Sequence, residues 1–184
     1  MPSLLNAQGL EADPKQLHTG LYGAPALAFI LMKAVTPLLL LLLLQGIAFL
    51  QGAPKPQHNL PTADLTLGTN ALSTQIAADD ASRELGLMSQ TNLSDKEGMI
   101  FVFPHPRPVT FWMKDTPIPL SVAYISTSGR ILEIHDMKPF DETAIPSTSS
   151  AVVYALEVSQ GWFPKHGVLA GDTIEGLPSP SIAK

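Results

Sequence analysis

The sequence predicts a mostly β domain: a small antiparallel sheet, curled or closed into a barrel, with one or two short helices. Short apolar segments rich in β-branched residues recur through the second part of the chain, separated by Pro, Gly and Ser. No long helical pattern alternates with them, so a parallel βαβ sheet is not favoured. The chain contains no cysteine, so a packed core rather than disulfides must stabilise the fold.

The strand candidates follow from these apolar segments. They are residues 72–77, 98–103, 109–114, 120–126, 130–135, 151–158 and a short last strand within 172–175. The turn before Arg130 predicts a hairpin between the fourth and fifth candidates. The side chains that we expect in the core are Phe101, Phe103, Phe111, Met113, Tyr154 and Leu156.

Two short helices are indicated by their ends. Asp79 has the side chain of a helix N-cap, acidic residues follow it, and Gly86 suits a helix end. A second helical turn is predicted over residues 161–166, ended by Gly167. Helices this short need packing against the sheet to be stable.

The amino-terminal part of the chain indicates export. Residues 34–50 are uncharged and contain a run of leucines, and Lys33 stands directly before them. A basic start, an apolar middle and a small-residue exit are typical of a secretory signal, which we place at residues 32–53. Translation starting at Met32 would leave residues 1–31 unmade. The alternative is a retained membrane anchor, and either interpretation predicts an exported, periplasmic domain.

The rest of the chain divides into a linker at residues 54–63, a single β-rich domain at 64–177 and a tail at 178–184. The formal net charge of −5 and the lack of a basic run argue against a nucleic-acid partner. Membrane contact is expected only through the amino-terminal apolar segment.

The candidate binding residues centre on the stretch VTFWMKD, residues 109–115. In a strand, Trp112 and Lys114 would share one face, and Asp115 would follow at its exit. An indole beside an ammonium could floor a groove for a small polar ligand or a peptide. The alternative is that Trp112 packs under the prolines at 117 and 119 while Lys114 ends the strand in solvent.

Glu157 is a further candidate because it stands among small apolar residues of a predicted strand. Val153 and Ala155 would lie on its face, where burial could raise its pKa as in catalytic acids. The alternative is a structural ion pair of Glu157 with Arg83 or Lys114.

No catalytic or metal-binding motif accompanies these residues. The histidines lack metal-ligand spacing, the nucleophile motif GxSxG does not occur, and no cofactor motif is present. We therefore expect a binding or accessory module of the cell envelope. The alternatives are a structural envelope factor and a hydrolase that uses Glu157 or Asp115 as base.

Four segments of the chain together resemble a known family. They are RELGLM (residues 83–88), EGMIFVFPHPRPVTFWMKDTPIPL (97–120), YALEVSQGW (154–162) and GD (171–172). They are similar to the bacterial and archaeal domain of unknown function 192 over about residues 65–177. The resemblance implies a compact β-rich domain and no particular reaction. Family members typically carry Asp after the PL pair, where this chain has Ser121, so a role of that carboxylate does not carry over.

Overall fold

A computed structural model describes residues 52–184, of which Ala53–Lys184 form one compact unit. The predicted leader and the signal or anchor segment lie outside the described residues, apart from Gly52 and Ala53. Within residues 52–184, no helix is long and apolar enough to cross a membrane.

The described residues form nine strands, two short α-helices and one 3-10 turn. In chain order they are β1 (Thr62–Leu67), β2 (Asn70–Ala77), α1 (Asp80–Leu85), β3 (Glu97–Arg107), β4 (Thr110–Phe111), β5 (Leu120–Ser126), β6 (Ile131–Met137), β7 (Ile145–Pro146), β8 (Val152–Ser159), α2 (Trp162–Lys165), β9 (Ile174–Glu175) and the turn Pro180–Ile182. The sequence analysis did not predict β1.

Seven strands form one curled sheet in the order β6-β5-β8-β3-β2-β1-β9. Its two edges meet, because the Ile131 N–H donates to the Asp172 carbonyl at 2.8 Å and the Ile174 N–H donates to the Gly129 carbonyl at 2.9 Å. A Cβ on Gly129 would lie 2.6 Å from the Ile174 carbonyl oxygen, so only glycine permits this approach. The predicted mostly β, barrel-like fold is confirmed.

One pair of strands departs from the predicted antiparallel arrangement. β2 and β3 are parallel and α1 connects them. The predicted cap of this helix is confirmed: the Asp79 side chain accepts from the Ser82 N–H, and Gly86 follows the last turn. Because α1 has only six residues, its sequence gave too weak a periodic signal to predict a βαβ unit.

The two faces of the sheet bury two separate apolar clusters. The concave face holds the inner core, which comprises Leu65, Leu67, Leu72, Ile76, Ile100, Val102, Ala123, Ile125, Ile131, Val153, Tyr154, Leu156, Val158, Trp162, Phe163, Val168 and Ile174. The convex face holds the outer layer, which comprises Ala77, Leu87, Met99, Phe101, Val109, Met113, Leu120, Val122, Tyr124, Met137, Val152 and Ala155.

The segment 109–119 covers the outer layer and is not the predicted core strand. Only Thr110–Phe111 is a strand, paired with Ile145–Pro146, so the prediction of a strand over residues 109–114 was wrong. The backbone then turns away, because the Met113 N–H donates to the Asp141 carbonyl and Asp115 has a φ of 51°. The predicted alternation nevertheless holds: Val109 and Met113 are buried, whereas Trp112 is exposed.

Most of the predicted core residues are buried. Phe101, Met113, Tyr154 and Leu156 lie in the two clusters. Phe103 and Phe111 are only half-buried because they border a cavity in the outer layer.

Candidate functional site

A cavity of about 460 Å³ lies between α1, the end of β3 and the covering segment. Its apolar wall contains four aromatic side chains, Phe101, Phe103, Phe111 and Trp112. Its charged lining residues are Asp80, Arg83, Glu84, Arg107 and Glu157. This volume is within the usual range of small-molecule sites, which are mostly apolar with a few polar groups.

The aromatic wall is formed where Phe111 of the covering segment packs against aromatic rings of the curled sheet. The Phe101 and Phe111 rings meet edge to face, with centroids 4.9 Å apart, and Phe111 also contacts Tyr124 at 5.8 Å. Trp112 is 51% exposed. Because Trp112 lines the cavity and is still half open to solvent, we place it at the mouth. The alternative is therefore wrong in burying Trp112 under the proline corner, whereas Lys114 is exposed as that alternative expected.

Among the described residues that line the cavity, Glu157 is the one charged residue that is buried. Only 4% of its surface is exposed, and its neighbours on the adjacent strands are Met99 and Val122. Among the described residues, no group donates a hydrogen bond to its carboxyl and no cation pairs with it. Burial raises the pKa of Glu157 from its ordinary 4.5 to about 8. The side chain is therefore largely a neutral carboxylic acid at pH 7.

The surroundings of Glu157 differ in one respect from the prediction. Ala155 shares its face as expected, but Val153 lies in the inner core and Val152 takes its place in the outer layer. The register of β8 against β3 and β5 shifts between Val152 and Tyr154, and such a bulge exchanges the two faces.

Arg83 lines the cavity but serves as a structural clamp. Its guanidinium donates to the carbonyls of Ala78 at 2.6 Å, Val102 at 2.9 Å and Lys184 at 2.6 Å. It also pairs with Asp80 at 2.6 Å and lies over the Phe103 ring, 5.7 Å from its centroid. The predicted ion pair of Arg83 with Glu157 is not formed.

Lys114 and Asp115 lie outside the cavity lining. Lys114 is exposed and forms no ion pair with any described residue, so the alternative that it pairs with Glu157 is also wrong. Asp115 acts through its backbone, whose carbonyl accepts from the Ser89 N–H at 2.8 Å. Of the five predicted site residues, the fold brings together Trp112, Arg83 and Glu157.

Three charged residues of the cavity were not predicted. Asp80 and Glu84 are exposed on α1 and flank Arg83 at helical spacing, and Arg107 is exposed at the end of β3. The spacing of residues 80, 83 and 84 on a capped helix would have placed them on one face. Nothing local indicated that this face would meet β3, since that depends on the parallel β2–β3 pairing.

No histidine of residues 52–184 lines the cavity. His135 instead pairs with Glu133 at 2.9 Å, and Glu133 accepts from the Thr148 N–H at 2.9 Å, which fixes the loop after β7. Within the described range, no three His, Cys, Asp or Glu side chains gather in a way that could hold a metal ion.

The position where the family pattern has Asp also lies away from the cavity. Ser121 is buried, donates to the Asp136 carboxylate at 2.5 Å and accepts from the Gly161 N–H at 3.0 Å. These bonds join β5, β6 and the start of α2. The substitution therefore concerns the packing of the sheet rather than the cavity.

Comparisons with known proteins found one matching family model and similar solved structures. The family called DUF192, described as "Uncharacterized ACR", matches residues 63–176. A crystal structure of a candidate transcription regulator from Sinorhizobium meliloti 1021 is similar, with 34% identity, a TM-score of 0.63, and coverage of 65% of this chain and 97% of that chain. A protein of unknown function from Novosphingobium aromaticivorans DSM 12444 is similar at 32% identity and a TM-score of 0.61, covering 68% and 94%.

No curated protein matches the chain. The family match covers more than half of the sequence and includes all nine strands except the first residue of β1. The two solved structures share the fold at over 30% identity. The chain belongs to the DUF192 family.

Proposed function

We propose that this domain is a binding module that takes a small ligand into the cavity of the outer layer. The observation that carries the proposal is the buried Glu157 carboxyl, which lines the cavity and has no partner among the described residues. A polar group in such a position is costly unless something hydrogen-bonds to it. A ligand with a complementary polar group would remove that cost, and the aromatic wall would bury its apolar part.

Acid–base catalysis is the second candidate function. It is favoured by the same carboxyl, because a pKa of about 8 leaves Glu157 able to donate a proton near neutral pH. That protonation state makes Glu157 an acid, whereas the hydrolase that we considered from the sequence needs a base. Asp115, the other base considered, lies outside the lining. A structural envelope role remains the alternative if the cavity binds nothing.

A fragment screen on the purified domain tests the binding proposal. Ligand-observed NMR should detect fragments that bind, and Trp112→Ala should weaken these hits at least about fivefold through lost contact area. Phe140→Ala is the matched control, since Phe140 is 63% exposed and not part of the lining. It should leave the affinities unchanged.

Two results would count against a binding role. A diverse fragment library that yields no hit would favour a structural role. Hits weakened equally by Phe140→Ala and Trp112→Ala would show binding to exposed aromatic surface instead of the cavity.

We also propose that the domain is exported, on the strength of the apolar residues 34–50 after Lys33. The location would be the periplasm, or the membrane surface if the segment is retained as an anchor. Cell fractionation with an antibody against the folded domain tests this, and a cytoplasmic full-length chain would contradict it. A nucleic-acid partner is not proposed, because the net charge is −5.

A further inference from the structure

We propose that the ligand of this cavity is a small organic amine with an apolar or aromatic body, whose ammonium group meets the Glu157 carboxylate. This inference rests on the proposed binding function and adds the chemical class of the ligand. Three observations support it: the Glu157 carboxyl has no partner among the described residues, aromatic side chains line the same cavity, and charged side chains lie at its exposed edge.

No cation among the described residues pairs with the Glu157 carboxyl. Of the two arginines of the lining, Arg83 already donates to Ala78, Val102, Asp80 and Lys184, and Arg107 is exposed at the end of β3. A buried carboxylate with no counter-charge is strongly disfavoured, whereas a hydrogen-bonded ion pair is tolerated. An ammonium carries up to three donors, which matches an acid group that receives none from the described residues.

The aromatic side chains of the cavity are also suited to binding an ammonium group. Phe101, Phe111 and Trp112 line the cavity that Glu157 enters. Aromatic rings attract cations through their negative faces, and desolvation strengthens the attraction. Arg83 over Phe103 shows that one ring of this lining already holds a cation.

Once Glu157 is ionised, the charges of the lining favour a cation in number. Three carboxyl groups, Asp80, Glu84 and Glu157, oppose two guanidiniums, Arg83 and Arg107. Arg83 is bound to Asp80 at 2.6 Å, which leaves Glu84 and Arg107 at the exposed edge. Glu157, in contrast, is buried in the sheet.

Proton release accompanies this mode of binding. Glu157 holds a proton at neutral pH because burial raises its pKa to about 8. The ammonium binds the ionised form, so the proton leaves to solvent as the amine enters. Apparent affinity should therefore rise with pH until Glu157 is ionised in the free protein, provided that the amine keeps its own proton, as lysine-like amines do below about pH 10.

Other groups packed near Glu157 could also respond to pH. β5 contributes Tyr124, whose pKa is raised by burial and by the nearby Glu133 and Glu157 carboxylates. β6 contributes Glu133 and His135, which pair with each other. α1 and β3 contribute the rim charges named above. A pH response that survives in Glu157→Gln would belong to one of these groups.

Three probes of matched shape test the assignment: 2-phenylethylamine, 2-phenylethanol and phenylacetate. Their affinities are measured by NMR titration of the folded domain at about pH 6.5 and about pH 9. Fragments of this size reach dissociation constants no weaker than about 10 mM in a fitting site, which sets the concentration needed.

The amine should bind at least about tenfold more tightly than the alcohol at the higher pH. Because the pKa of Glu157 is about 8, the affinity of the amine should rise by roughly 30-fold between the two pH values. The alcohol should show little change, because its hydroxyl binds either form of the carboxyl. Glu157→Gln should remove the pH dependence of the amine and reduce its affinity at pH 9 to that of the alcohol.

The failures of the two proposals are distinguishable. If the alcohol binds as tightly as the amine at both pH values, and Trp112→Ala weakens both, the amine assignment is overturned and the binding function stands. Preferential binding of phenylacetate overturns it in favour of an anion held by Arg107. If none of the three binds at 10 mM, the amine assignment is wrong, and the fragment screen decides separately on binding.

Discussion

The inner core and the outer layer bury apolar side chains in different ways although the same strands supply both. On β8, Leu156 and Val158 enter the inner core, to which α2 contributes Trp162 and Phe163. Between them, Glu157 enters the outer layer, which is covered by the irregular segment 109–119 instead of a regular element. Thr74, which is buried on the same face of β2 as Leu72 and Ile76 of the inner core, donates to the Ala63 carbonyl at 3.0 Å, whereas the outer layer encloses a cavity and a carboxyl that has no partner among the described residues.

This difference indicates that the residues of the inner core favour the stability of the fold, whereas at least one residue of the outer layer does not. An apolar side chain at position 157 would fit the outer layer better than a carboxyl that must lose its charge. Local sequence choices that oppose the stability of a fold tend to mark functional positions. The contrast therefore points to the inner core as the main source of stability and to the outer layer as the place of the proposed ligand site.

The largest effect should come from the charge of Glu157. Its folded-state pKa of about 8 lies above the ordinary 4.5, so the unfolded chain loses this proton first as pH rises. The contribution of the group to stability is complete below about pH 4.5, declines from there to about pH 8, and is constant above. Over that window the wild type should lose about 5 kcal/mol relative to Glu157→Gln.

Urea unfolding of both proteins at pH values across this window measures the effect. Comparison with Glu157→Gln cancels the contributions of other titrating groups. Parallel pH profiles of the two proteins would mean that Glu157 is ionised in the folded state, and the distinction between the two faces would lose its main support.

Truncation of one phenylalanine on each face sharpens the comparison. Phe163→Ala, in the sealed inner core, should reduce the free energy of unfolding by about 3–5 kcal/mol. Phe111→Ala should cost only about 1–2.5 kcal/mol, because the ring is half-buried and borders an existing cavity. Denaturant unfolding measures both, and equal losses would show that the outer layer is packed as firmly as the inner core.

The clamp formed by Arg83 should have a smaller effect. Arg83→Lys keeps the charge but cannot reach the carbonyls of Ala78 and Val102 together with Asp80, since an ammonium lacks the forked donors. We expect a loss of about 1–3 kcal/mol in thermal or urea unfolding. Unchanged stability together with lost fragment binding would instead make Arg83 a ligand-binding residue, as the sequence alone suggested.

The smallest effect is expected at Lys114, which lies outside the lining and is exposed. Lys114→Ala should change the free energy of unfolding by no more than about 0.5 kcal/mol, as at other exposed sites. It should also leave fragment affinities as they are. A strong effect on either quantity would place the lysine in the site after all.

Prediction from the sequence succeeded where local chemistry decides the structure. The Asp79 cap, the hairpin of β5 and β6 and the burial of Phe101 and Met113 depend on neighbours close in the chain or on alternation within a strand. The burial of Glu157 was also expected from its position in a predicted strand of small apolar residues.

What the sequence did not reveal depends on pairing between distant segments. The parallel β2–β3 pair, which brings α1 to the cavity, has no local signal beyond a short helix. The bulge in β8 places Val152, instead of Val153, in the outer layer. It depends on the register of β8 against two other strands. The true partners of Arg83 are carbonyl groups, which no side-chain pattern encodes.

The central claim is that Glu157 is a neutral acid facing the cavity of the folded domain. The most direct test is a pH titration of its side-chain carboxyl by ¹³C NMR, with the resonance assigned by its absence in Glu157→Gln. We predict an apparent pKa of about 8, moving downward when 2-phenylethylamine is added. A pKa near the ordinary 4.5 would mean that the carboxyl is ionised and satisfied without a ligand, and would contradict the account.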